Sequence, residues 1–250
     1  DDVRGFQIFN RTTKTFPSTP IYLSQDCLDR GVKRSFHYLV PPGSVKSNVG
    51  VSDVSLVEEK KSEVKRHVAA LTYNIIEPFK PFVAAGLRMV PLPVMHGEDL
   101  VCLGFAFTLK GMAVAETKKV NENEDEDENE NKNDSKEMTI TIPAKDFLNV
   151  VYLSDISRML PETQEYILNK LPPTDVLVID SLLENSSHFS HFSLKQAIYL
   201  AKTLKPKRTF IVGMNCDGFR PHDEMNEELK KVEGLEHVQF AHDGLTIEVP

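Results

Sequence analysis

The chain has 250 residues, 40% of them hydrophobic, and a formal net charge of −8 from 29 basic and 37 acidic residues. That composition can bury a full core, in one large domain or two small ones, and excludes a wholly disordered chain. No run of eighteen apolar residues occurs and no basic stretch followed by a short apolar segment opens the chain, so neither a helical membrane span nor a secretory signal is visible. Cys27, Cys102 and Cys216 are odd in number and far apart, which reads as reduced thiols of an intracellular protein, cytoplasmic or nuclear.

The first periodic signal, PIYLS at residues 20–24, reads as a short strand, and a helical pattern follows through Leu28 and Val32 toward Phe36. Residues 41–66 mix turn formers with charges and read as a long polar loop. Residues 67–76, 82–94 and 100–109 are β-branched or aromatic runs joined by short turns. An acidic insertion spans 117–137. Its run NENEDEDENENKNDSKE holds nine acidic and two basic residues, a net of −7, so the rest of the chain is almost neutral at −1. Global charge therefore argues neither for nor against a phosphate-bearing substrate. The run repels itself and lacks the apolar residues that would offset its ordering entropy, which reads as a disordered surface insertion. EMTITIP at 137–143 then reads as the returning strand of a hairpin whose loop that insertion has expanded. The first half is predicted to be antiparallel and meander-like.

The second half alternates. Strands are predicted at 149–155, 175–180 and 208–214, and helices at 161–171, 193–204 and 222–232, the first opening on proline. Strand and helix units joined by short connections define a sheet covered by helices on at least one face, so the whole reads as a layered, mixed α/β fold.

Open α/β sheets carry their chemistry in the loops beyond the strand tips. Asp155 ends the strand VVYLSD, and His96 follows LRMVPLPVM in a comparable position. A carboxylate and an imidazole are ligand types that zinc and manganese accept. On residue types alone, a satisfied structural histidine and an N-capping aspartate account for them equally well.

Five segments shift that balance: PLPVMHGEDLVCLGFAF, VVYLSDISRMLPETQEYI, DVLVIDSLL, HFSLKQAIYLAKTLKPKRTFIVGM and HDEMNEELKKVEGLEHVQFAHDGLTIEV. In this order they resemble metallo-β-lactamase-fold hydrolases, and specifically the branch containing the cyclic phosphodiesterase of bacterial phosphonate metabolism and its uncharacterised eukaryotic relatives. The similarity covers nearly all of the chain apart from the two polar loops, and rests on the spaced quartet His96, Asp155, Asp180 and His191. It implies a single domain over 1–250 with an αββα sandwich fold. No His-x-His occurs in these 250 residues, whereas the family carries an early His-x-His-x-Asp-His motif shortly upstream of a segment like the opening DDVRG. The expectation is a sandwich lacking its N-terminal strands, whose two divalent metal ions, zinc or manganese, take their principal ligands from upstream of residue 1.

By resemblance, His96 is the third histidine ligand of one metal and Asp155 the carboxylate that bridges two. His191 resembles a histidine beside the site that donates a proton to the leaving oxygen. A structural residue near the helix starting at Ser193 is the alternative. Where the family has a last histidine ligand after the strand RTFIVGM, this chain has Gly213. Nearby Cys216 is the candidate replacement, since a thiolate binds zinc, with an unbound loop cysteine as the alternative. Asp180 is expected to organise the loop after its strand, and His188 to be a surface residue.

The function so implied is metal-dependent hydrolysis of a small, cyclic phosphodiester by a metal-activated water, with this chain alone inactive. The alternative is a catalytically degenerate binding or scaffold protein. The expected partner is the phosphodiester substrate, with a homodimer left open. Neither a membrane nor a nucleic acid is expected, because no basic cluster interleaved with aromatics appears.

Overall fold

The computed structural model describes residues 18–36, 45–46, 71–110, 139–141 and 147–248. The acidic insertion, and the polar loop apart from Val45–Lys46, lie outside them. The chain forms two compact units, residues 1–80 and 81–250.

In the first unit, β1 (Thr19–Leu23) leads into a π-helical turn, Cys27–Val32, and the short α1 (Lys33–Ser35). β2 (Val45–Lys46) and β3 (Leu71–Ile75) complete a three-stranded sheet in the order β1-β3-β2. Leu23, Leu28, Leu71 and Tyr73 form its core, with Ile21, Val32 and Ile75 packed against them. Both pairings are parallel, not antiparallel as the sequence suggested. The connection from Leu23 to Leu71 is far longer than the dozen or so residues a parallel return requires, so the chain is free to cross over.

The second unit is built on a seven-stranded sheet. β4 (Phe82–Ala84), β5 (Leu87–His96) and β6 (Leu100–Lys110) form an antiparallel meander, followed by β8 (Phe147–Leu153), which pairs antiparallel with β6. From β8 the chain alternates through α2 (Pro161–Asn169), β9 (Val176–Asp180), α3 (Leu194–Leu204), β10 (Arg208–Val212), α4 (His222–Leu229) and β11 (Val238–Phe240). β8, β9, β10 and β11 are mutually parallel, giving the order β11-β10-β9-β8-β6-β5-β4. β7 (Thr139–Thr141) pairs in parallel with β12 (Thr246–Glu248) as a separate two-stranded sheet.

The expected hairpin between residues 100–109 and 137–143 is therefore corrected. β6 already has β5 on one edge and β8 on the other, from Lys110↔Phe147 to Phe105↔Tyr152, so no edge remains for β7. The single run expected at 82–94 is also two strands. Ala85 and Gly86 both have positive φ, the conformation of a tight two-residue hairpin turn, and Phe82 pairs back with Met89. β4 pairs only with residues 87–89, so Pro91 and Pro93 lie on a stretch of β5 whose second edge pairs with no strand among the described residues.

Helices cover one sheet face. α3 buries Ala197, Leu200, Ala201 and Leu204, the i, i+3, i+4, i+7 stripe of an amphipathic helix, and α4 buries Met225 and Leu229. On the strands Leu92, Val94, Leu153, Leu177, Ile179 and Ile211 are fully buried, each contributing about 1.5–3 kcal/mol of hydrophobic stabilisation. The buried Thr163 hydroxyl on α2 donates to the Pro93 carbonyl at 2.6 Å, fastening the helix to β5. No helix among the described residues is long and apolar enough to cross a membrane.

This topology fixes where chemistry gathers. β5 and β8 are each antiparallel to β6 and so run the same way, and β9 and β10 follow β8. The C-terminal ends of all four strands reach one edge of the sheet, carrying His96, Asp155, Asp180 and Gly213 with them.

Candidate metal centre

His96 is the last residue of β5, and Asp155 lies two residues past β8. Their loops are tied together. Ser157 N–H donates to Met95 O at 2.7 Å, Met95 N–H donates to Arg158 O at 3.1 Å, and the Ser157 hydroxyl accepts from Gly97 N–H at 2.9 Å. The same hydroxyl lies 3.1 Å from Met95 O, so one serine joins the loop after β8 to the turn after β5. Asp155 has φ +52°, a left-handed conformation that aspartate tolerates better than most side chains. It does not cap a helix, because the residue preceding α2 in that position is Leu160.

His191 arrives from the loop between β9 and α3. Ser193 and Gln196 form a reciprocal capping box that starts α3, which places His191 two residues ahead of the cap. His191 Nδ1 lies 2.7 Å from Asp180 Oδ2 and 3.9 Å from Asp155 Oδ1. Asp180 is only 3% exposed, so its carboxylate requires a partner, and His191 is that partner. Burial pushes the Asp180 carboxyl above the usual carboxylate range, opposed by the hydrogen bond and the charge interaction with His191.

The donor atoms of His96, Asp155 and His191 all lie within 4.8 Å of one another. The His96 and His191 rings meet edge to face, 4.8 Å between centroids. His96 Nδ1 is buried with no hydrogen-bond partner among the described residues. An unpartnered imidazole nitrogen beside a carboxylate and a second imidazole fits the donor set of a divalent transition metal.

The structure thus brings together His96, Asp155 and His191 with Asp180, a member of the quartet that carries the resemblance but expected only to organise the loop after its strand. An aspartate closing the apolar run DVLVID was the available signal, because a carboxylate at the tip of a buried strand requires a partner. Cys216 is not in the group. It is exposed in a turn held by Asn215 N–H to Leu182 O and Gly218 N–H to Asn215 O. Gly213 has φ +73°, and a Cβ there would lie 3.3 Å from Asp180 Cβ, so a side chain in place of Gly213 would be both strained and crowded. His188, expected on the surface, is half-buried with its ring centroid 5.5 Å from that of His191.

A separate cleft of about 300 Å³ opens at the opposite end of the sheet, lined by Arg88, Val90, Thr108, Asn149, Tyr166 and Lys170 among others. Its lining contains no histidine, cysteine or carboxylate.

No family model matches the chain, and no curated protein matches it. Solved structures do. A new diphosphatase from the PhnP family superposes with a TM-score of 0.56 at 20% identity, over 98% of this chain and 62% of its own. The metallo-β-lactamase fold protein YhfI from Bacillus subtilis gives 0.48 at 14%, over 93% of this chain and 66% of that one. The short form of human tRNase Z gives 0.38 at 13%, over 68% and 44%. The chain spans less than two thirds of the length of the first of these. The fold is of the metallo-β-lactamase class, a mixed α/β architecture around a large sheet, as the sequence resemblance implied.

Proposed function

We propose that the protein is a metal-dependent hydrolase acting on a small phosphodiester. The observation that carries this reading is the cluster of His96, Asp155 and His191 at the strand ends where such folds place ligands, with His96 Nδ1 buried and unpartnered among the described residues. His96 and Asp155 would hold the metal, with two zinc or manganese ions as the finer expectation. Bound there, a divalent cation supplies Lewis-acid activation of water and neutralises charge on phosphate oxygens. The cleavage chemistry is supported in addition by the likeness to a PhnP-family diphosphatase, a likeness of fold.

The chain's own residues supply the proton. Asp180 accepts from His191 Nδ1, which fixes the orientation of the ring and leaves Nε2 as its working atom. A protonated His191 then donates from Nε2 to the departing alkoxide, and the buried carboxylate stabilises the imidazolium before transfer. The loop clamp at Ser157 keeps Asp155 beside His96 throughout.

Hydrolysis of bis(p-nitrophenyl) phosphate and of a ribose cyclic phosphate by the zinc- or manganese-loaded protein tests this. Turnover that falls at least a hundredfold in His191→Ala, with metal content unchanged, supports the assignment. Loss of metal in that variant would make His191 a ligand instead.

Gly213 favours a second reading. With no donor at that position and Cys216 outside the cluster, the metal set is reduced relative to the expected one, as in a binding or scaffold protein that keeps the fold. Metal binding without turnover on either ester would select it.

A further inference from the structure

His188 has no part in the chemistry above, yet it is held more firmly than a surface histidine needs to be. Ser190 N–H donates to His188 Nδ1 at 3.3 Å, and the Ser190 hydroxyl lies 3.2 Å from the same atom. The Phe189 ring packs against the imidazole at 4.7 Å between centroids, while Phe189 itself is 79% exposed. His191 lies on another side, at 5.5 Å.

A backbone N–H can only donate, so Nδ1 acts as an acceptor and the neutral ring carries its proton on Nε2. That Nε2–H meets no hydrogen-bond acceptor among the described residues. The rest of the cluster is poor in donors: Asp155 and Asp180 accept, His191 Nδ1 is committed to Asp180 while its Nε2 serves the departing oxygen, and His96 offers a lone pair to a metal. A phosphate ester presents only acceptor oxygens, and its non-bridging oxygens require donors that do not compete with the cation.

We propose that His188 is a substrate-binding residue whose Nε2–H donates to a non-bridging oxygen of a phosphate ester held beside His191. This rests on the hydrolase reading above for the identity of the ester. It assigns His188 to anion recognition and not to metal ligation, because the nitrogen left free by Ser190 is the protonated one.

The test uses the zinc-loaded protein and two variants, His188→Phe, which keeps an aromatic ring without the donor, and His188→Gln, which returns an amide donor near the Nε2 position. Nitrogen-15 spectra of the imidazoles should show the Nε2–H tautomer at His188, and inorganic phosphate should shift that resonance. His188→Phe should weaken phosphate binding and raise KM for bis(p-nitrophenyl) phosphate roughly tenfold, with kcat and zinc content little changed, and His188→Gln should recover most of the loss. An Nδ1–H tautomer, phosphate affinity within twofold of wild type in His188→Phe, no rescue by glutamine, zinc loss in either variant, or no phosphate binding to the wild type would each overturn the assignment. Phosphate titration requires no turnover, so a protein that binds phosphate through His188 yet cleaves no phosphodiester refutes the hydrolase reading and leaves the anion site standing.

Discussion

At His191, the 2.7 Å contact between Nδ1 and Asp180 Oδ2 decides what the ring can do. A carboxylate fixes the proton on Nδ1, whereas an amide in its place can present either an oxygen or an NH2 group and no longer stabilises a cation. Asp180→Asn should therefore lower kcat by about a hundredfold or more while KM and bound metal change little, as read from steady-state kinetics and metal analysis of the same preparation. That His96, Asp155 and His191 would meet was legible in the sequence because each stands at a strand tip or just before a helix, in segments that resemble a known family. The Asp180–His191 pair was not, because the two residues meet only when the loop between β9 and α3 turns back. His188 was hidden for the same reason: no spacing rule distinguishes a surface imidazole from one held by Ser190 and Phe189.

The precision of the centre comes from the loops between elements. Ser157 bonds to both Met95 O and Gly97 N–H, and so sets the distance between the tip of β5 and the loop leaving β8. Ser157→Ala keeps the strands but removes that link. It should weaken zinc binding about tenfold in a chelator competition, with far-ultraviolet circular dichroism unchanged, because the contacts that position the proposed ligands would carry the affinity typical of a metal site's outer partners. The strand and helix alternation after residue 149 was legible from its buried runs and amphipathic stripes. The Ala85–Gly86 turn was not, because alanine is a weak signal for positive φ and the flanking runs read as one. The pairing of β7 also escaped. Its partner β12 lies more than a hundred residues away, and local pattern does not specify which edge a three-residue strand will find.

For the whole molecule, charge and burial set the response to conditions. The −7 of residues 121–137 accounts for nearly all of the −8, so deleting that run should raise the isoelectric point from about 5.5 toward neutrality, as isoelectric focusing would show. His237, just ahead of β11, has a buried Nε2 with no hydrogen-bond partner among the described residues, and burial pushes its imidazole below its ordinary value of 6.5. The sign follows from linkage. Above 6.5 both folded and unfolded states hold the neutral ring and its stabilising contribution is complete; as pH falls through the lowered folded value, the unfolded chain takes the proton first and stability is lost. Urea midpoints should therefore decline on acidification below about pH 6.5, and His237→Gln should flatten that limb.

The most direct measurement is a zinc titration of the protein by calorimetry, beside His96→Ala, Asp155→Ala and Cys216→Ser. Binding in the wild type that weakens at least tenfold in the first two variants and is unchanged in the third is the predicted result. Equal affinity in all four proteins, or no binding in any of them, would contradict a metal centre built on His96 and Asp155.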